Sequence, residues 1–366
     1  MLLALPALRA DDKPKDQPPN EQYAALVKEY QTAQQAAMKA MREAKTTEER
    51  QKASLEARSL AGKFAPRFLE LAEKSPKEAA AVDALVWVVN NNPPMAAGRG
   101  TTPSSKAIDI LLKDHVSSEK LAPVCQMLGF GFDDANGGKL RTILEKNPHQ
   151  EVQAEACMAL AQNLRQRSTI VRRIQDDKEM ASRYESFLGK ETVEQMKKAD
   201  AAKLESDSEA AFRMLGDKYL SQLKPERILN ICQQLSFNAG KGGESLLRTI
   251  MDKDQRRDVQ GVACLSLASA MKQRADEIVE KDAKEAARIR KDCEELFERC
   301  VEKFADVKAG FRGTVGERAK GELFEIRNLA VGLPAPKVEG EDQDGKKFTL
   351  SDYKGKVVLL DFWSEF

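Results

Sequence analysis

One segment of this chain occurs twice, and this internal duplication constrains the fold more than any other feature. The stretch from Glu119 to Arg167 aligns without a gap to the stretch from Glu226 to Arg274, at an offset of 107 residues and with 18 identities in 49 positions. Repetition at a fixed offset is the signature of stacked helical units, in which each unit covers the apolar face of its neighbour. We therefore expect a mainly α-helical repeat protein.

The periodicity inside the repeated segment predicts helices. Apolar residues recur every four positions in both copies, which gives a single apolar stripe along a helix. Small residues within the stripes allow close helix approach, as in tetratricopeptide or HEAT-type arrays. The stripe residues are Val152, Ala156, Leu160 and Leu164 in the first copy, and Val259, Ala263, Leu267 and Met271 in the second.

A weaker similarity at another offset extends this pattern. The run from Ala201 through Phe212 to Tyr219 resembles the run from Ala286 through Phe297 to Phe304. An alanine followed at helical spacing by large aromatic residues resembles the small-and-large packing of tetratricopeptide helices.

The remaining helices of the array are predicted from the loops that separate them. We expect a helical pair from about Glu21 to Ser75, a helix over Lys77 to Val89, a helix capped by Ser104, and further helices to Leu329. Trp87, in an apolar run, is predicted to be a core residue.

The six cysteines do not form a recognisable site. None of them makes a Cys-x-x-Cys motif, and with only His115 and His149 in the chain a zinc site of the usual spacing is not expected. We assign neither histidine a catalytic role. Four cysteines occupy repeat-equivalent positions, where a free thiol acts as a small hydrophobic group; disulfide or redox roles are the alternative. These four are Cys125, Cys157, Cys232 and Cys264.

Each copy also contains a Gly-rich loop with a matching phenylalanine, Phe130 in the loop of residues 129–138 and Phe237 in the loop of residues 236–243. We predict that both rings close the core between helices. The alternative is a recognition loop at one edge of the array, because loops often carry binding residues.

Composition excludes some classes of partner. The net charge is +1, which gives no support to a nucleic-acid partner. A hydrophobic fraction of 42% with 32% charged residues predicts a soluble, globular chain, and the sequence contains no run of about 20 apolar residues that would cross a bilayer.

The first 20 residues are predicted to be separate from the array. Met1 to Ala10 is apolar and ends in a small residue, and the stretch from Asp11 to Asn20 is polar and rich in proline. This pattern indicates the end of a secretory signal, and it places the protein in the periplasm, the cell envelope or outside the cell. A disordered N-terminus is the alternative.

The last segment, from residue 331 onward, is predicted to contain β-strands. Asp344-Gly345 is a strong signal for a β-hairpin turn. Val357 to Leu360 is an unbroken apolar run, which predicts a strand buried on both faces in a layered α/β domain. Phe362 and Trp363 follow it after Asp361.

From Val331 to Phe366 the chain resembles the beginning of the redoxin families, namely the TlpA-like thiol-disulfide oxidoreductases and the AhpC/TSA peroxiredoxins. The resemblance rests on the Gly-x-x-Ala-Pro entry at Gly332, the Asp-Gly hairpin, the Leu350 to Lys356 turn and the strand that leads to Trp363. It implies a thioredoxin-like start of a hairpin and one central strand. It also implies thiol-disulfide exchange or peroxide reduction with a protein thiol or disulfide as redox partner, and no cofactor.

The same resemblance locates the nucleophile. In TlpA-like members three residues separate the Phe-Trp pair from a Cys-x-x-Cys motif that opens a helix, and this places the first cysteine directly after Phe366. A thiol at a helix N-terminus has a lowered pKa because the helix dipole stabilises its thiolate. Trp363 and Phe366 would flank this group, so the 366-residue chain contains no catalytic residue and is expected to be inactive.

Three explanations stay open for a chain that stops just before the expected nucleophile. The sequence is a fragment, or the nucleophile is a selenocysteine whose UGA codon was read as a stop, or the protein is short and carries a vestigial redoxin start. The predicted domains are residues 1–20, 21–330 and 331–366.

The hypothesis that competes with a redox function is a non-catalytic helical scaffold whose array binds a protein ligand.

Overall fold

The protein is mainly helical in the part that the structure describes. The computed structural model describes residues 17–92, 102–130, 134–237, 239–310, 313–329, 333–342, 344–359 and 361. This part contains fifteen α-helices and one two-stranded antiparallel sheet. The helical fold class predicted from the duplication is therefore confirmed.

The described residues form helices over most of their length. Single turns of 3-10 helix occur at Glu119–Leu121, Leu220–Gln222 and Leu350–Tyr353, and a π-helical turn occurs at Leu215–Tyr219. The α-helices and strands are α1 (Pro19–Glu43), α2 (Thr47–Lys74), α3 (Ala79–Asn91), α4 (Pro103–Asp114), α5 (Ala122–Gly129), α6 (Asp134–Lys146), α7 (Gln150–Asp176), α8 (Lys178–Leu188), α9 (Lys190–Lys198), α10 (Ala201–Met214), α11 (Pro225–Leu235), α12 (Gly240–Lys253), α13 (Arg257–Ile278), α14 (Ala283–Lys303), α15 (Val315–Asn328), β1 (Glu339–Glu341) and β2 (Lys347–Thr349).

The chain divides into two compact units. The first unit comprises Met1–Ile228 and Gly240–Leu246, and the second comprises Leu229–Ala239 and Leu247–Phe366. The predicted domain limits at residues 20 and 330 stay predictions.

The first unit begins with the predicted helical pair, α1 and α2, followed by α3. A capping box starts α2, because the Thr46 hydroxyl accepts a hydrogen bond from the Glu49 N–H and the Glu49 carboxylate accepts one from the Thr46 N–H. Trp87 of α3 is buried, as predicted. Its ring stacks on Phe68 with centroids 3.9 Å apart and meets Tyr30 edge-on at 4.9 Å, so aromatic packing ties the three helices together.

The start of α4 differs from the prediction. Thr102, not Ser104, is the N-cap, and it forms a capping box with Ser105. Pro103 occupies the first helical position, where proline is favoured because its missing N–H would have no partner there. Ser104 lies inside the first turn and is buried.

The duplicated segments have the same order of helices, with α5, α6 and α7 in the first copy and α11, α12 and α13 in the second. All eight residues of the two predicted stripes are buried, which confirms them as core positions.

A polar contact before the long helix is also duplicated. In the first unit, the Gln153 side-chain amide donates to the Asn147 carbonyl at 2.9 Å, and the Asn147 side chain accepts from the His149 N–H. In the second unit, Gln260 donates to the Asp254 carbonyl at 2.8 Å, and the Asp254 carboxylate accepts from the Arg256 N–H. The glutamine retained in both copies therefore fixes the entry of the chain into α7 and α13.

The weaker similarity corresponds to the helix that packs on each of these long helices. In the first unit α10 packs on α7, and in the second unit α14 packs on α13. Phe212 and Phe297 are the equivalent large residues, and both are almost completely buried. Tyr219 and Phe304 are buried as well, so the repeated unit extends beyond the aligned 49 residues.

The C-terminal segment forms the predicted hairpin but not the predicted strand. Strands β1 and β2 pair antiparallel with Gly340 opposite Phe348, and Gly345 in the turn adopts φ +76°. Val357, Val358 and Leu359 have no strand partner, and Val357 and Leu359 are 103% and 92% exposed. A buried strand needs neighbours on both sides and cover on both faces. The described residues provide neither for this run, and Leu360 lies outside them.

Candidate functional site

The two residues predicted to flank the nucleophile, Trp363 and Phe366, lie outside the described residues. The nearest described secondary structure in the redoxin-like segment is the 3-10 turn at Leu350–Tyr353, which follows the hairpin. A capping box fixes this turn, since the Asp352 carboxylate accepts a hydrogen bond from the Thr349 N–H at 2.8 Å. The geometry thus ends just before the position where the resemblance places the chemistry.

All six cysteine thiols are free and buried. Each has a relative exposure of 0%, which confirms the prediction that the four repeat-equivalent cysteines are core residues. Cys293 and Cys300, which lie outside the aligned repeat, are buried in α14.

Burial makes most of these thiols poor nucleophiles. It raises the pKa of Cys157, Cys232 and Cys293 to about 12 and also raises the pKa of Cys125. Only the thiolate attacks a disulfide or a peroxide, and at neutral pH these groups hold their protons. The helical body therefore offers no exposed, activated thiol among its described residues.

Two cysteines make the same contact in the two units. The Cys157 thiol donates to the Ala211 carbonyl at 3.2 Å, and the Cys264 thiol donates to the Leu296 carbonyl at 3.5 Å. The long helix and the helix that covers it therefore approach closely at this point, which requires a small side chain. This explains why both copies have a small residue at this position.

Cys264 has a second partner that sequence reasoning missed. The neighbouring Cys300 thiol lowers the pKa of Cys264, and the Cys264 thiol in turn raises the pKa of Cys300. Neither residue is marked in the sequence as a member of a pair, because 36 positions separate them.

A cleft of about 560 Å³ opens in the second unit beside α13, α14 and α15. Cys293, Val279, Ile326 and Leu329 contribute the uncharged part of its lining. The charged residues at the cleft pair with each other or with close neighbours: Lys272 with Glu322 and Glu325 at 2.6 and 2.8 Å, and Arg290 with Asp276 at 2.9 Å. These pairs neutralise one another, so the cleft offers little attraction to a charged ligand.

The two phenylalanines of the Gly-rich loops are exposed, so the prediction that they close the core is wrong. Phe130 is 63% exposed and Phe237 is 71% exposed. Each follows the end of a helix whose last buried residues already fill the interior, so the ring points away from the core. Most apolar identities between the copies are buried, and these two positions differ from them.

Among residues 17–92 and the described ranges that follow, no group of three or more His, Cys, Asp or Glu side chains could hold a metal ion. Over the same part of the chain, no helix is both long and apolar enough to span a membrane.

Comparison with protein-family models, with curated proteins and with solved structures finds no match to this chain.

Proposed function

We propose that this protein is a thiol-disulfide oxidoreductase or peroxide reductase of the TlpA-like redoxin kind, with a helical repeat array of tetratricopeptide or HEAT type as its N-terminal module. The observation that carries the proposal is the hairpin of β1 and β2 with the 3-10 turn at Leu350–Tyr353. This is the order of elements that precedes the catalytic strand in the redoxins the segment resembles. The apolar stretch from Met1 to Ala10 supports a location in the cell envelope.

The chemistry would belong to a thiolate or selenolate directly after Phe366. At the N-terminus of a helix such a group is stabilised by free backbone N–H groups and by the helix dipole. It would attack one sulfur of a disulfide, or the oxygen of a peroxide, and a redox partner protein would restore the reduced form. Trp363 and Phe366 would border this position and limit access to it.

The burial of the helical thiols supports this assignment. A redox protein needs an accessible thiolate, and the thiols of Cys125, Cys157, Cys232 and Cys293 are buried with raised pKa values. The nucleophile is therefore expected outside the array.

An insulin-reduction assay tests the proposal. The 366-residue chain is expected to show no turnover, whereas the product of the same gene read in frame beyond codon 366 is expected to reduce insulin or a peroxide. A thiol reagent should modify few or none of the six cysteines in the native chain, and all six once the chain has been reduced and unfolded in denaturant. Turnover by the 366-residue chain, or an inactive longer product with intact helices, would contradict the proposal.

A second candidate is a non-catalytic scaffold whose array binds a protein ligand. The specific observation in its favour is the exposure of Phe130 and Phe237, since packing does not explain why both copies retain this ring. Exposed aromatic residues supply much of the binding energy in protein interfaces. This function could also accompany the redox activity as the means of partner recognition.

Alanine variants separate this candidate from a purely structural role of the loops. Peptides selected on the wild-type protein from a random library are expected to bind Phe130→Ala or Phe237→Ala at least about tenfold more weakly, as measured by fluorescence anisotropy. Leu55→Ala is the matched control, because Leu55 is 66% exposed but lies outside the repeat. Equal affinities for all variants would exclude both rings as binding residues.

A further inference from the structure

Cys264 and Cys300 lie where two packed helices of the second unit come closest. Cys264 is on α13 and Cys300 is on α14, and both are fully buried. The Cys264 sulfur is 3.5 Å from the carbonyl oxygen of Leu296, which lies one helical turn before Cys300. Because residues four apart lie on the same face of a helix, Cys300 lies on the face of α14 that meets Cys264, and each thiol shifts the pKa of the other.

We propose that Cys264 and Cys300 are a disulfide site that ties α13 to α14 by exchange with a disulfide donor such as oxidised glutathione. The proposal is independent of the redoxin-like segment, because both residues belong to the helical array. The repeat alone indicates only a packing role for Cys264. The proposal adds a covalent bond between Cys264 and Cys300.

The thiol-disulfide exchange takes place in two steps. The Cys264 thiolate attacks one sulfur of the donor, and the donor's sulfur–sulfur bond breaks to release one glutathione thiolate, which takes up the proton that Cys264 lost. Cys300 then loses its proton and attacks the Cys264 sulfur of the mixed disulfide, which releases the second glutathione. Two protein thiols are oxidised, and one glutathione disulfide is reduced to two thiols.

The surroundings favour Cys264 as the first nucleophile. The neighbouring Cys300 thiol lowers the pKa of Cys264, and the positive charge of Arg299 acts in the same direction. The same contact raises the pKa of Cys300, which keeps its proton until the mixed disulfide has formed. Because both thiols are buried, exchange requires the chain to be still folding or α14 to open locally from α13.

The first unit contains a natural comparison for this site. Cys157 occupies the position of Cys264 and makes the equivalent contact with the Ala211 carbonyl at 3.2 Å. At the offset of 85 residues that relates α10 to α14, the counterpart of Cys300 is Leu215, which is also fully buried. The same helix packing therefore occurs once with two thiols and once with a thiol and a leucine.

Peptide mapping of the full chain tests the proposal. Reduced, denatured protein is refolded in a buffer of reduced and oxidised glutathione, free thiols are alkylated, and the digest is analysed by mass spectrometry. We expect a cross-linked peptide that joins Cys264 to Cys300, with the other four cysteines alkylated. A disulfide over this loop should also raise the thermal midpoint of unfolding by about 5–10 °C over the reduced form.

Two variants make the outcome specific. Cys300→Leu copies the first unit and should fold, judged by its helical circular dichroism, without forming any cross-link. Leu215→Cys gives the first unit the same pair of thiols and should add a second cross-linked peptide that contains Cys157. The proposal is overturned if wild-type protein refolds with all six cysteines alkylated, or if Cys264 joins a cysteine other than Cys300.

Discussion

Replacing Arg227 by leucine is expected to lower the free energy of unfolding by about 3–5 kcal/mol, because the change leaves a buried carboxylate without its partner. In the first unit, the Arg227 guanidinium donates to both oxygens of Glu155, at 2.5 and 2.8 Å. The Glu155 side chain is only 5% exposed, and Gln126 donates a third hydrogen bond to it at 3.2 Å. Water cannot replace the lost guanidinium at this depth.

The duplication suggests the compensating change. The position of Glu155 corresponds to Val262 in the second copy, where the side chain is buried and apolar. Glu155→Val alone should also destabilise the protein by several kcal/mol, since it leaves the mostly buried Arg227 charge unpaired. The double variant Glu155→Val with Arg227→Leu replaces the ion pair by apolar contacts and should recover most of the loss, to within about 1–2 kcal/mol of wild type.

Urea unfolding followed by circular dichroism measures this double-mutant cycle. The matched control is Arg67→Leu, which removes an ion pair with Glu29 at a site where both side chains are more than one third exposed; it should change stability by less than about 1 kcal/mol. If the double variant lost as much stability as the two single variants together, the two charges would not depend on each other, and the ion pair would not be the cause of the losses.

Phe297→Ala is the second change with a large expected effect, a loss of about 3–5 kcal/mol. The Phe297 ring is fully buried on α14, against α13 in the second unit, and its removal leaves a cavity that the surrounding helices fill only in part. Phe212→Ala should have an effect of the same size in the first unit, because Phe212 is the repeat-equivalent ring and is 1% exposed.

The control for this prediction is Phe324→Ala. Phe324 lies on α15 of the second unit and is 51% exposed, so its removal should change stability by no more than about 0.5 kcal/mol. Equal effects of Phe297→Ala and Phe324→Ala in urea unfolding would contradict the assignment of Phe297 to the core.

The repeat predicted the core well because core identity is a local requirement that both copies share. Val152 and Val259, or Cys157 and Cys264, are buried for the same reason in each copy. The hairpin was equally predictable, since a turn at Asp344-Gly345 depends on backbone conformations that glycine supplies.

Other features depend on contacts that no local pattern encodes. The hydrophobicity of Phe130 and Phe237 suggests burial, so their exposure could not be inferred from it. The one sign of a different role in the sequence is that both copies have phenylalanine here, outside the apolar stripes. The proximity of Cys264 to Cys300 follows from the packing of α14 on α13, which the sequence does not encode locally. The strand over Val357 to Leu360 was predicted from composition, but a strand also needs partners, and residues 357–359 have none among the described residues.

We propose that the redox nucleophile follows Phe366 and that the helical thiols take no part in the redox reaction. The nucleotide sequence after codon 366 tests this most directly. We predict a cysteine codon or an in-frame UGA, followed by a second cysteine within a Cys-x-x-Cys spacing and by a redoxin-like continuation. A different stop codon with no in-frame continuation would contradict the claim and would favour the helical scaffold.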